Sequence, residues 1–336
     1  MKGYQIMFTA PKTAELVPFD VKMPGDNEAL IRVEYNLISA GTEKAQLNGG
    51  NNVRNKFPEN LGYSSVGVIE QIGKNVNGFK SGDRVFVEKS GHANYNTCHI
   101  SHVTKIPDNV SSQEAVFTRV ASFSLEGIRR SRLEIGESVA IVGLGMLGLF
   151  AVQFARIGGA SVIIGIGNRE YRQKKAIEYG ADHILSPKDP ELVKKVFEFT
   201  EKKTYIRGAN VVIETSGTED GLIKGLEYAS WQGRVLLSGC IREMTKPIDI
   251  YKYIHLKGVN VIGAHDSTRP PVNSAAGNWT AKRDYITILG LFSDGRLDAE
   301  TMISEFVSPS EVKQIYSRLL NDPQFPLGVL FDWSKL

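Results

Sequence analysis

The feature that most narrows what this chain can fold into is a glycine turn: Gly143, Leu144, Gly145, Met146, Leu147, Gly148. Alone, a G-x-G-x-x-G pattern arises often by chance. Here an apolar run at 138–142 leads into it, and an apolar stretch of helical composition leaves it and reaches about residue 157. In that context each glycine has a task. Gly143 permits the tight turn, Gly145 lets a pyrophosphate approach the backbone, and Gly148 lets the helix pack on the strand. The helix start, with Met146 and Leu147 in its first turn, offers free amides and partial positive charge to the phosphates. A tight strand-to-helix turn with no ligand is the alternative.

The end of the next apolar run, 160–166, bears on which dinucleotide binds. An acid about 20 residues past the glycines would hold the ribose hydroxyls of NAD. Gly167 stands there instead, followed by Asn168, Arg169 and, one helical turn on, Arg172. A 2′-phosphate needs space, donors and positive charge, so NADP(H) is expected. Glu170 keeps NAD open, and the two arginines could merely solvate a helix start. Ser216, Ser238, Gly239 and Gly263, at or just after the ends of later strands, complete the expected cofactor-binding set.

Around the turn the chain alternates. Apolar runs at 209–215, 233–238 and 259–263 read as further buried strands, with helical stretches at 169–179 and 221–231. Strands alternating with helices predict an α/β, doubly wound parallel sheet. Before it, residues 1–115 read as short strands and turns (29–35, 65–73, 78–87), a compact β-rich region. A helical segment covers 111–132. The tail carries helices at 285–293 and 310–320 and a last short strand. At 336 residues the chain is too long for one ordinary core, so two domains are expected.

Composition excludes several classes. Lys plus Arg number 40 against 37 Asp plus Glu, a net charge of +3 without a basic run, so no nucleic-acid partner is expected. No apolar stretch approaches the ~18 residues of a membrane span, and the first residues lack a signal-peptide core; a cytoplasmic location is expected. Cys98 and Cys240 are the only cysteines, too few for a four-cysteine zinc lobe.

Taken together, Gly41-Thr42-Glu43, Leu61-Gly62-Tyr63-Ser64-Ser65-Val66-Gly67, Gly82-Asp83-Arg84-Val85, Gly143 to Gly148, Gly180-Ala181-Asp182 and Gly295-Arg296-Leu297 make the chain resemble the medium-chain dehydrogenase/reductase family over essentially its whole length. The resemblance implies a β-rich GroES-like catalytic domain, residues 1–120 and 270–336, interrupted by a Rossmann dinucleotide-binding domain, 121–269. It also implies a cleft between them for nicotinamide and substrate, and a homodimer, for which the apolar 259–263 strand is the natural pairing edge.

The departures carry the functional reading. Zinc-using relatives have Cys, His and an acid or Cys where this chain has Ala40, Tyr63 and Arg119. Alanine cannot bind a metal and arginine repels one, so no metal is expected. His92, His99 and His102 lack acid or thiolate partners at ligand spacing, Cys98 apart, and read as surface or cleft histidines. The catalytic candidates are therefore Tyr63 as hydrogen-bond donor and general acid, Arg119 as a charge for an oxyanion or for the Tyr63 phenol, Thr42 as the hydroxyl that relays a proton in zinc-using relatives, and Glu43 to orient a substrate hydroxyl. Each has a plainer role: Tyr63 fills the space of the metal, Arg119 pairs with an acid, Thr42 caps a helix. The polar, proline-rich 263–280 stretch, with His265 and Asp266, could cover the cleft and read a hydroxylated substrate, or be a self-packed surface loop.

The leading expectation is an NADPH-dependent carbonyl or alcohol oxidoreductase acting on a polar, sugar-like, cyclitol-like or natural-product small molecule. An NADPH-dependent enone or quinone reductase would need a more apolar cleft. A non-catalytic NADPH-binding sensor is the third reading.

Overall fold

The computed structural model describes every residue except Asn55 and Ala276. The chain forms two compact units, Met1–Arg119 with Tyr285–Leu336, and Val120–Asp284. The return to the first unit thus falls at Tyr285, later than the residue 270 expected. The preceding stretch stays in the second unit because Asp284 meets Arg129 at 2.9 Å and Arg269 at 2.6 Å.

In the second unit six parallel strands run in the order His183–Leu185, Val162–Ile166, Ser138–Val142, Ala209–Glu214, Ala229–Leu237, Asn260–Gly263. In chain order that is 3-2-1-4-5-6, the arrangement of a doubly wound dinucleotide-binding sheet. Ser138–Val142 and Val162–Ile166 are buried at every position, which explains their unbroken apolar runs. Val142, Ile164, Val196, Val212 and Leu226 share the core around them. Helix Leu192–Thr204 was not anticipated; Leu192, Val196 and Thr200 face inward beneath a lysine-rich surface. Two readings need correction. The helix expected to reach Trp231 stops at Tyr228, and Trp231 stands exposed in the following strand. Asn260–Gly263 is an edge strand paired with Ala229–Leu237, and its Val261 is 40% exposed, so it is not buried.

In the first unit a hairpin, Lys2–Ala10 with Thr13–Asp20, accompanies a seven-stranded sheet. The order along its path is Ile303–Val307, Gly328–Asp332, Glu28–Leu37, Ser64–Ile72, Arg84–Glu88, Val103–Lys105, while Tyr95–His99 also pairs with Glu28–Leu37. The tail strand is thus internal to this sheet: Leu330 lies opposite Leu37, and Trp333 Nε1 donates to Asn36 Oδ1 at 2.7 Å. Ile31, Val33, Ile69, Val85, Tyr316 and Phe331 form the core. Among the described residues no helix is long and apolar enough to cross a membrane.

Candidate active site

The two units carry two groups of candidate residues. In the second unit, Gly143 has φ +91°, where a side chain is strained. A Cβ there would lie 2.8 Å from the Ser216 backbone. Gly148 is tighter still, because its Cβ would come within 1.8 Å of the Gly143 carbonyl oxygen. Gly145 differs. It precedes helix Met146–Ile157, and the nearest atom to its Cβ position is Arg172 Nη1 at 3.9 Å. The helix has no acid in its first turn. An open glycine over unopposed helix amides is a cradle suited to a diphosphate.

Where NAD-binding chains place an acid, Gly167 is buried, and a Cβ would meet the Leu144 side chain at 2.9 Å. A side chain at that position would require Leu144 to shift. Asn168 is exposed, and Arg169 precedes helix Glu170–Glu178. Arg172 is half-buried. Burial, and then the neighbouring Arg169, push its guanidinium down to about 10. Glu170 lies against Lys174 at 2.7 Å in solvent.

Ser216, Ser238 and Gly239 are brought together by a residue that sequence reasoning missed, Glu214. Its buried carboxylate accepts from the Ser216 amide at 2.7 Å and the Gly217 amide at 3.1 Å, and its carbonyl accepts from the Ser238 and Gly239 amides at 2.9 and 2.7 Å. Burial pushes the Glu214 carboxyl up. Gly263, at the end of the edge strand, has nothing within 4 Å of its Cβ position.

In the first unit the Tyr63 hydroxyl is hydrogen-bonded to the hydroxyls of Ser39 and Thr42. Burial pushes its phenol up to about 12; the Ser39 bond and Arg119 act in the opposite sense. Helix Ala40–Asn48 places Thr42 and Glu43 on consecutive positions beside it. The N-cap of that helix is Ser39, so Thr42 is not a cap.

Glu43 was expected to orient a substrate hydroxyl, but it is buried and already engaged. It accepts from the Ser39 amide at 2.8 Å and the Tyr316 hydroxyl at 2.6 Å, and meets His92 Nε2 at 3.1 Å. Burial alone would raise its carboxyl; His92, Tyr316 and Ser39 outweigh that and hold it below the ordinary glutamate value. His92, read as a surface or cleft histidine, is fully buried. His102 pairs with Glu88 at 2.9 Å, and His99 is exposed.

Arg119 opens helix Thr118–Ser131 and is buried. The acid it pairs with is Glu88, at 3.4 Å, and it also touches the Tyr285 hydroxyl, which donates to Glu88 at 2.6 Å. Glu88 and Tyr285 lie far from Arg119 in sequence and gave no local signal. Asn94 serves the scaffold, accepting from the Tyr4 amide at 2.8 Å. His265 and Asp266 are turned into their own loop: His265 meets the Ser267 hydroxyl at 2.7 Å, and Asp266 meets Arg269 at 3.1 Å.

The zinc-binding dehydrogenase family model matches residues 147–276, and the alcohol dehydrogenase GroES-like domain model matches residues 25–121. The chain belongs to the medium-chain dehydrogenase/reductase family. This is a family of pyridine-nucleotide-dependent oxidoreductases. The chain is 26% identical to D-guloside 3-dehydrogenase of Shigella flexneri over 97% of its length and 99% of that protein's. Its fold matches a zinc-binding dehydrogenase from Sinorhizobium meliloti 1021 bound to NADP (TM-score 0.83, 20% identity, 99% of each chain). It also matches a short chain alcohol dehydrogenase from Escherichia coli CFT073 complexed with NADH (TM-score 0.82, 19% identity, 99% of each chain). Among the described residues no three His, Cys, Asp or Glu side chains come together as a metal would need.

Proposed function

We propose that this protein is a zinc-independent, NADPH-dependent dehydrogenase/reductase that interconverts a carbonyl and an alcohol on a polar, sugar-like small molecule, with Tyr63 as the proton donor. The observation that carries the reading is the Tyr63 hydroxyl. It is held by two other hydroxyls, at the position where the resemblance would put a zinc ligand, and its neighbours Ala40 and Arg119 do not suit zinc. A metal ion would supply several kcal/mol of stabilisation to the developing alkoxide; a proton donor aimed at the same oxygen does comparable work. Burial keeps the Tyr63 phenol protonated at every physiological pH, as an acid for carbonyl reduction must be. Thr42 supports it, Arg119 adds positive charge, and Glu43 fixes the helix start from beneath.

The bound dinucleotide supplies the hydride. Gly143, Gly145 and Gly148, with the amides of Met146 and Leu147, would hold its diphosphate. Asn168, Arg169 and Arg172 would hold a 2′-phosphate; Gly167 packed under Leu144 and Glu170 turned to Lys174 both favour NADPH over NADH. Ser216, Ser238, Gly239 and Gly263 would line the remainder. D-guloside 3-dehydrogenase among the relatives supports a polyol-like substrate.

The test is a hydride trace. Protein dialysed against chelator receives NADPH deuterated at its transferable position together with a 3-keto-glycoside and an enone. Deuterium on a carbinol carbon is expected. Deuterium on a carbon β to a carbonyl would establish an enone reductase instead, and tight NADPH binding without transfer would favour a sensor. Tyr63→Phe is expected to lower kcat by about 10²–10⁴-fold, and wild-type turnover in that variant would remove Tyr63 from the chemistry.

A further inference from the structure

We propose that Ser39 is a further working residue of this site: its hydroxyl, diverted from the helix that it precedes, grips Tyr63 and donates to the Tyr63 oxygen once the phenol has given up its proton. This role rests on the reading of Tyr63 as proton donor.

The first support is a forgone helix cap. Ser39 occupies the N-cap of helix Ala40–Asn48, where a serine side chain ordinarily accepts from an amide of the first turn. Here it makes no such bond. Its Oγ meets the Tyr63 hydroxyl instead, 24 residues further along the chain. A residue that breaks a local rule in this way marks a functional constraint.

The second support is the way Ser39 is held. Its amide donates to Glu43 at 2.8 Å, and Glu43 is anchored by Tyr316 at 2.6 Å and His92 at 3.1 Å. Ser39, Glu43, His92 and Tyr316 are all buried. The pillar fixes the Ser39 backbone, so the hydroxyl is delivered to Tyr63 at little entropic cost.

The third support is proton counting. A phenol oxygen has one proton and two acceptor sites. If that proton goes to substrate, the hydroxyls of Ser39 and Thr42 must both act as donors to Tyr63. In reduction, the carbonyl carbon gains a hydride from the reduced dinucleotide, its C–O π pair becomes an oxygen lone pair, and that oxygen takes the Tyr63 proton. The Tyr63 O–H bond breaks and leaves a phenolate between two donors, which is how preorganised sites stabilise developing charge. A solvent proton then restores the phenol, so each turnover consumes one carbonyl, one reduced dinucleotide and one proton.

The contact can be read without substrate. Protein labelled with 3-fluorotyrosine gives a ¹⁹F resonance for Tyr63, assigned by its loss in Tyr63→Phe, and ring fluorination brings the phenol into an accessible titration range. Ser39→Ala is expected to move the titration midpoint up by about one pH unit, because a hydrogen bond to the charged form is lost. Ser39→Thr should restore it and Ser39→Val should behave like alanine, which keeps the comparison available if alanine fails to fold. The melting temperature should fall only modestly, because one buried hydrogen bond and no cap bond is removed. A midpoint unmoved by Ser39→Ala, or moved equally by threonine and valine, overturns the role. The two readings separate cleanly. A midpoint independent of Ser39 beside a large kcat loss in Tyr63→Phe removes Ser39 alone, whereas full turnover in Tyr63→Phe removes both.

Discussion

At the glycine turn the decisive atoms belong to the backbone, and the site works by what is missing: a side chain at Gly148 would strike the Gly143 carbonyl, and one at Gly145 would occupy the cradle. At Tyr63 the decisive atoms are side chains, gathered from positions 39, 42, 43, 92 and 316 into one hydrogen-bonded group. The first arrangement is local and tolerates no addition. The second is dispersed and is weakened by deletion.

That contrast is sharpest between two glycines three positions apart. Gly148→Ala forces a methyl to 1.8 Å from a carbonyl oxygen. It should unseat the helix and cost both the fold and at least about 100-fold in dinucleotide affinity, an overpacking effect of several kcal/mol. Gly145→Ala meets nothing nearer than 3.9 Å in the free protein, so its melting temperature should hold while calorimetry shows about tenfold weaker dinucleotide binding. Equal loss of stability in both would break the distinction between a packing glycine and a cradle glycine.

On the other side, deletion should be costly. Glu43→Ala leaves His92 and Tyr316 facing a buried gap and should destabilise the fold by about 3–5 kcal/mol in denaturant titration. Because the folded carboxyl lies below its ordinary value of 4.5, Glu43 contributes stability that is fully present above that pH and lost as pH falls through the folded value. The wild-type protein should therefore lose this part of its stability on acidification, and Glu43→Gln should not. A Glu43→Ala variant as stable as wild type would show the pillar to be dispensable.

A smaller effect is expected at the cofactor's ribose end. Arg172→Ala should raise KM for NADPH about tenfold while leaving that for NADH nearly unchanged, since charge-assisted bonds to a phosphate are lost. Glu170→Ala, whose carboxylate is occupied by Lys174, should alter neither by more than about twofold; a loss of NADH binding would restore Glu170 to the ribose.

The same contrast explains what could be read from the chain. Buried parallel strands announce themselves as apolar runs, and the glycine turn carries its geometry within six consecutive residues, so the doubly wound sheet and its tight strand-to-helix turn were legible. The edge strand Asn260–Gly263 was misread because an apolar run looks alike whether one neighbour or two cover it. Tyr63 and Arg119 were singled out by their departure from the motifs of zinc-using relatives, but their partners were not. Ser39 carried no signal of its own, the cap reading having gone to Thr42; His92 looked like a surface or cleft histidine, and Tyr316 and Tyr285 lie on tail segments with no local pattern pointing to Glu43 or Glu88. A hydrogen bond between residues 273 positions apart, as between Tyr316 and Glu43, leaves no trace in periodicity.

The tail strand has a consequence for biosynthesis. Trp333 and Asn36, joined by a buried hydrogen bond, are 297 residues apart. At typical translation speeds that separation takes roughly 15–60 s to synthesise. Throughout that interval the Tyr35–Leu37 end of the Glu28–Leu37 strand, beyond the stretch that Tyr95–His99 covers, must wait with one flank unpaired, while Val120–Asp284, whose strands are contiguous in the chain, can close its own sheet. The newborn chain therefore passes through a state with an open strand edge, a template for wrong pairing. Heat, crowding or slowed translation should reveal themselves first as aggregation of the amino-terminal half.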